Sequence, residues 1–268
     1  MALKNGLSEE LNRQGNEHFG RGHYTEAYAC YAKALECDRL TGDRRALAAT
    51  LGNLGNICAV SGRREAAQSY YQEVLELQKI LGDEKGIGTT LANLGNLRAD
   101  AGEWDRARAY YLEALDLMTK TRDEPAKAVL FSDLGLVARE TKQFDDAIAF
   151  YEKSLVLMRR MGNDGGVADA WRMMARTFLL QNRYDDAIAC CQTSQSVAER
   201  SRDELRTGGA RYVMAECYEA TGRLEEAALL LERVVEMDRK YHLPKLEENT
   251  RRLERLRQRL SARRESNG

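Results

Sequence analysis

Two stretches decide the fold: residues 53–77, NLGNICAVSGRREAAQSYYQEVLEL, and residues 93–117, NLGNLRADAGEWDRARAYYLEALDL. They align with a shift of 40, and the same register runs outward in both directions. Gly15, Gly55, Gly95, Gly135, Ala175 and Ala215 stand 40 residues apart. Twelve residues after each comes Ala27, Ala67, Ala107, Ala147, Ala187 or Ala227. Sixteen after each comes Tyr31, Tyr71, Tyr111, Tyr151, Cys191 or Leu231. Six units hold this spacing without an insertion or deletion. A fixed period of that length marks a stacked array in which each unit buries its apolar face only against its neighbours.

Each unit reads as two antiparallel helices. The small residue lets two helix backbones approach, and the large residue fills the space beside them. Between the small positions stand Gly22, Gly62, Gly102, Lys142, Asn182 and Gly222, where a left-handed residue ends the first helix. Asn182 takes that conformation at modest cost, whereas Lys142 fits less well. A second junction recurs at Gly42-Asp43, Gly82-Asp83, Arg122-Asp123, Gly162-Asn163-Asp164 and Arg202-Asp203. There a helix stops and a carboxylate caps the next one. Pro125 falls in a first helical turn, where its missing N–H does no harm. The expected helices are 8–20, 24–41, 45–60, 64–81, 84–100, 104–121, 125–140, 144–161, 165–180, 184–201, 204–220 and 224–240.

These segments resemble the tetratricopeptide repeat, whose signature runs Leu-Gly, Gly, Ala, aromatic, Ala at fixed offsets. The Pro that often follows the second helix of the common 34-residue repeat is missing here. The 40-residue form with Gly-Asp junctions is similar to Pins and LGN scaffolds, kinesin light chain and many bacterial repeat proteins. The resemblance implies an all-α, right-handed solenoid of six helix-turn-helix units, 8–41, 45–81, 84–121, 125–161, 165–201 and 204–240. Residues 1–7 form an N-terminal extension. A basic amphipathic capping helix at 243–264 follows, started by Pro244 and striped by Leu246, Leu253, Leu256 and Leu260. Residues 265–268 are left as a tail.

By the same resemblance, the first helix of each unit lines a concave groove. Its groove positions include Asn12, Asn16, Asn53, Asn56, Asn93 and Asn96 in the first three units. An amide carries both a donor and an acceptor, so an array of them can hold a peptide through its main chain. Asn53 and Asn93 are the leading candidates, with Asn56 and Asn96 next. The alternative is that they merely satisfy neighbouring helices. Further on, Asp133, Arg172 and Arg176 change the character of the face. Arg172 and Arg176 are one turn apart and can grip a partner carboxylate, unless an internal ion-pair network with Asp133 or Asp169 claims them. Family members that clamp chaperone C-terminal tails use cations at set positions. Here those positions hold Asn12, Asn16, Asn53, Thr89 and Asn93, so both asparagines fit but no cation does. That weighs against chaperone tails as ligands.

Composition narrows the remaining classes. The 268 residues are 43% hydrophobic, 31% charged and 7% aromatic, with a net charge of -1, so no overall field draws nucleic acid or anionic membrane. Two prolines argue against a loop-rich or disordered chain. No apolar run approaches a membrane span, and the N-terminus lacks a signal-like core. Cys30, Cys37, Cys58, Cys190, Cys191 and Cys217 show no disulfide or metal spacing, which points to a reducing compartment and a cytoplasmic location. His18 and His23 sit on different faces, and His242 stands alone, so no metal or catalytic set emerges and no cofactor is implied. Residues 239–265 carry ten Lys or Arg and four Glu. Its leucines keep helical spacing and no aromatics interleave, so a solvated capping helix explains this segment better than nucleic-acid contact.

The sequence thus reads as a non-catalytic interaction scaffold or adaptor that binds a peptide segment or helix of a partner protein through its asparagine array. Three rivals stay open. The chain could be a receptor for short signalling peptides, or a structural protein self-associating through its solenoid ends. The third is nucleic-acid or anionic-surface binding by the basic C-terminal helix.

Overall fold

The computed structural model describes residues 2–266; Met1 and residues 267–268 of the expected tail lie outside them. Within that range there are thirteen helices and no strand. The first seven are α1 (Ala2–Gly20), α2 (Tyr24–Thr41), α3 (Arg44–Val60), α4 (Arg64–Leu81), α5 (Glu84–Ala99), α6 (Trp104–Lys120) and α7 (Glu124–Glu140). The rest are α8 (Phe144–Arg160), α9 (Asp164–Leu180), α10 (Tyr184–Arg200), α11 (Glu204–Ala220), α12 (Leu224–Lys240) and α13 (Leu246–Ser266). The chain folds as an all-α solenoid of helix hairpins in two compact units, residues 1–130 and 131–268, with successive helices packed from α1 to α6 and from α8 to α13.

Helix boundaries follow the local chemistry. Asp43 Oδ1 accepts the amides of Arg45 and Ala46, at 2.9 and 3.1 Å. Asp83, Asp123 and Asp203 cap α5, α7 and α11 in the same way, and Asn163 takes that role for α9. The left-handed positions lie where the period places them, and they tolerate side chains: Lys142 has φ 62° and Asn182 has φ 59°. Arg122, Arg202 and His242 also hold positive φ, which extends the second junction column to a sixth member. The turns at Arg122, Lys142, Asn182 and Arg202 each close a Schellman motif. At Lys142 the amide of Gln143 donates to Ala138 O at 2.7 Å, and the amide of Lys142 donates to Arg139 O at 3.0 Å.

Two boundaries differ from expectation. The first helix starts at Ala2, so the residues expected as an extension are helical as far as they are described. The last helix starts at Leu246, two residues after Pro244, and runs to Ser266, absorbing part of the expected tail. Its role is the one the leucine stripe implies. Leu253 and Leu256 are buried against Leu231, Val234 and Val235 of α12, with Leu246 and Leu260 at the margin. Burying each of the two central leucines contributes about 1.5–3 kcal/mol.

A size rule explains the hairpin core. A Cβ added to Gly55 would lie 2.6 Å from Tyr71 Cε1. At Gly95 the same construction meets Tyr111 at 2.5 Å, and at Gly135 it meets Tyr151 at 2.6 Å. Gly15 faces Tyr31 in the same manner. Glycine is therefore the residue that admits a tyrosine ring against the helix backbone. Where the small residue is Ala175 or Ala215, the facing position holds the smaller Cys191 or Leu231, both fully buried.

Candidate functional site

In residues 1–130 the asparagines form two sets with opposite free ends. The residue after each core glycine is Asn16, Asn56 or Asn96, and its carbonyl oxygen accepts the hydroxyl of the facing tyrosine. Tyr31 donates to Asn16 Oδ1 at 2.6 Å, Tyr71 to Asn56 Oδ1 at 2.8 Å, and Tyr111 to Asn96 Oδ1 at 2.7 Å. The tyrosine thereby fixes which end of the amide faces inward. The Nδ2 groups of these three asparagines donate to nothing among the described residues, and Asn16 and Asn96 are exposed.

The second set is turned the other way. Asn53 Nδ2 donates to Asn12 Oδ1 at 3.2 Å, and Asn93 Nδ2 donates to Asn56 Oδ1 at 3.4 Å, the latter a weak bond. Asn12 is committed further, its Nδ2 donating to Thr50 Oγ1 at 2.7 Å. The carbonyl oxygens of Asn53 and Asn93 accept nothing among the described residues. A cleft of about 380 Å³ brings Asn56, Asn93 and Asn96 together with Phe19 and Asp100. Asn16 and Asn53 do not line it. Free donors thus stand at Asn16, Asn56 and Asn96 and free acceptors at Asn53 and Asn93.

The tyrosines behave as core groups. Burial pushes Tyr71 up to about 12, with the Cys58 thiol adding to the effect, and burial raises Tyr31 as well. Each keeps its proton and donates to the asparagine oxygen at any physiological pH. The coupling of glycine, the asparagine after it and the tyrosine sixteen residues on was present in the sequence as three parallel columns. What pattern reading missed was that these columns describe one hydrogen-bonded unit.

Residues 131–268 carry a different surface. Leu136 replaces the asparagine of the fourth unit, and the Tyr151 hydroxyl is buried without a partner. Burial drives Tyr151 up to about 12. Asp133, half-buried at the position of Asn53 and Asn93, has its carboxyl pushed up to about 6 by desolvation. Arg172 takes the internal option, its Nη2 donating to Asp169 Oδ1 at 3.1 Å, and Asp169 also pairs with Arg206 at 2.9 Å. Arg176 makes no ion pair among the described residues, and its Nε is buried without a partner. Arg172 and Arg176 share a cleft of about 440 Å³, which Asp133 does not line.

The remaining chemistry-bearing groups are quiet. Burial pushes Cys190 and Cys217 up to about 11 and raises Cys191 too, so none of these thiols ionises near neutrality. Among the described residues there is no group of three or more potential metal ligands and no helix long and apolar enough to cross a membrane.

A family model for the tetratricopeptide repeat matches residues 11–80, 86–160 and 166–240. No curated protein sequence matches the chain significantly. Among solved structures, a signal-transduction ATPase with a tetratricopeptide-repeat sensor from Pyrococcus horikoshii is similar at TM-score 0.76 and 15% identity. That match covers 89% of this chain and 37% of the ATPase. BtubC from P. vanneervenii matches at TM-score 0.67 and 16% identity over 89% of this chain and 92% of its own. A putative kinesin light chain from Podosopora anserina with nearly identical repeats gives 0.60 and 18%, over 72% and 95%. At these identities the likeness carries the fold alone.

Proposed function

Because the chain belongs to the tetratricopeptide-repeat family, a protein-interaction scaffold, we propose that it captures an extended or helical segment of a partner protein on the amide face of residues 1–130. The organisation we infer is six 40-residue repeats over 8–240 closed by the helix beyond them. One observation carries the reading: Asn16, Asn56 and Asn96 each have the carbonyl end tied down by a core tyrosine and the amino end free. A merely solvated asparagine needs no such orienting partner, and three in register at 40-residue spacing repeat the arrangement. Main-chain carbonyls of a bound segment would accept from these amino groups, while Asn53 and Asn93 would accept its N–H groups. Asp133, Arg172 and Arg176 would then discriminate among partners by charge. Binding by positioned hydrogen bonds needs no cofactor and no catalytic group, and the unpaired cysteines suit the cytoplasm.

The test exploits the orientation. Asn16→Asp, Asn56→Asp and Asn96→Asp together keep an acceptor for each tyrosine hydroxyl but remove the three free donors. Native and triple-variant chains are used as paired baits in source-cell lysate, after circular dichroism shows equal helicity. Proteins captured by the native chain and lost by the variant support the amide face. Identical capture by both baits refutes it.

A further inference from the structure

The segment between α12 and α13 does more than close the core. With Asn249 of α13 it forms one wall of the 440 Å³ cleft, through Leu243, Pro244 and Lys245. Opposite lie Arg172 and Arg176 of α9, and the floor is apolar, with Leu205, Val234 and Met237. The two glycines of α11 create the depth. A Cβ on Gly209 would lie 3.2 Å from Arg172 Cδ, and one on Gly208 would collide with the Met237 thioether.

Two residues that line this cleft carry a buried, unsatisfied polar atom. Asn249 is 2% exposed, and its Nδ2 donates to Asp238 Oδ2 at 2.7 Å while its Oδ1 has no partner. Arg176 Nε is likewise buried and unpartnered. A buried polar atom left unpaired is destabilising, so each is a demand that a ligand atom can meet. The charge balance also points to an anion. Arg172 is paired with Asp169 and Asp238 is engaged by Asn249, which leaves Arg176 and Lys245 as the cleft cations without an ion pair among the described residues. Lys245 has no ion pair among the described residues and rests 5.5 Å above the Tyr212 ring. Glu216 lies close enough to feel the charges of Arg176 and Lys245, but its one ion pair among the described residues is with Arg252 at 3.8 Å, so it contacts neither cleft cation directly.

We propose that this cleft is a second peptide subsite, which takes an acidic side chain flanked by a large apolar residue in a partner segment. The carboxylate bonds to Arg176 and Lys245, a main-chain N–H of the segment donates to Asn249 Oδ1, and the apolar neighbour packs on Val234, Met237 and Leu243. A side-chain carboxylate with an adjoining apolar group matches both halves of the cleft, and the volume suits a ligand larger than a single side chain. The proposal rests on the scaffold reading only in taking the ligand to be a peptide. It requires nothing of the asparagine face.

The experiment titrates the full chain, isotopically labelled for NMR, with acetyl-Leu-Glu-Leu-amide and acetyl-Leu-Gln-Leu-amide at about 50 mM salt, where charge pairs are weakly screened. The expected result is saturable shifts of the Asn249 side-chain amide and of residues 243–245. The Glu peptide should bind about tenfold more tightly than the Gln peptide, the difference one charge-assisted pair makes. Arg176→Gln and Lys245→Gln should each remove most of that preference, and Arg139→Gln, outside the cleft, should leave it intact. If Arg176→Gln unfolds the chain, Lys245→Gln, at an exposed position, carries the test. Equal affinity for the two peptides overturns the proposal, as do shifts absent from Asn249. Binding of Leu-Gln-Leu as its free acid alone would assign the cleft to a C-terminus and overturn it equally. Failure here leaves the asparagine face untouched, since that reading is tested by the Asn→Asp baits.

Discussion

The first three hairpins and the last three repeat one backbone with two chemistries. In the first, every core glycine is followed by an asparagine and faced by a tyrosine, and the three residues form a single unit. In the last three, the residues after Gly135, Ala175 and Ala215 are Leu136, Arg176 and Glu216, and the facing residues are Tyr151, Cys191 and Leu231. The same register therefore presents three oriented amides in one region and a leucine and two charges in the other. A solenoid separates packing from recognition: the inner column keeps its size rule while the outer column is free to vary.

That contrast can be broken most forcefully at the size rule. Gly55→Ala drives a methyl into the Tyr71 ring and is expected to cost about 1–3 kcal/mol in urea unfolding, the usual range for overpacking. In a Tyr71→Leu background, which reproduces the buried Ala215–Leu231 pairing, Gly55→Ala should cost clearly less. Equal losses in the two backgrounds would show that glycine is not there to admit tyrosine.

A comparable effect belongs to the asparagine itself. Asn56→Ala leaves the Tyr71 hydroxyl, on a residue 2% exposed, without its acceptor, and about 1–3 kcal/mol should be lost. Asn56→Asp should lose clearly less, because an oxygen remains. The converse experiment belongs in the second region. Leu136→Asn would give the orphaned Tyr151 hydroxyl an acceptor and should raise stability by about 0.5–1.5 kcal/mol. No gain would mean that the unit does not transplant.

Asp133 sharpens the comparison through pH. Burial lifts its carboxyl from the ordinary 3.8 to about 6. Between those values the folded chain keeps a proton that the unfolded chain releases, so this group's contribution to stability falls as pH rises through the window. Asp133→Asn removes the cost of burying the charge. It should raise the melting temperature at pH 7.5, with the gain shrinking towards pH 4. A pH-independent gain would contradict the assignment. The smallest effect is expected at Lys142, held at φ 62°. Lys142→Gly relieves a left-handed strain of about 1–2 kcal/mol but adds unfolded-state entropy, for a net gain below about 1 kcal/mol by thermal melting.

The helical period, the left-handed junctions and the aspartate caps were legible because each is a local demand on one residue type. Lys142 shows the limit of composition: nothing about lysine announces a positive φ, and only its place in the 40-residue register did. The terminal boundaries were less readable. Residues 2–7 carry no periodic apolar signal, and Pro244 marks a turn before α13 rather than its first residue. The candidate site was legible as a set of positions but not as a set of polarities. Asn53 and Asn56 look alike in sequence, yet one has its amino end engaged and the other its carbonyl end. That distinction comes from a tyrosine fifteen residues away and an asparagine on the preceding hairpin. The cleft beside α13 was half visible in Arg172 and Arg176, but its other wall, Lys245 and Asn249, comes from the segment read only as a cap.

The most direct measurement follows the side-chain amide signals of the asparagines by NMR in the full chain. The segment of a captured partner that binds is mapped by overlapping peptides and then added as the free peptide. The Nδ2 signals of Asn16, Asn56 and Asn96 should shift and become protected from solvent exchange, while those of the junction residues Asn163 and Asn182 stay in place. If a peptide binds tightly and the three signals do not move, the tyrosine-held amides are structural and the central claim is wrong.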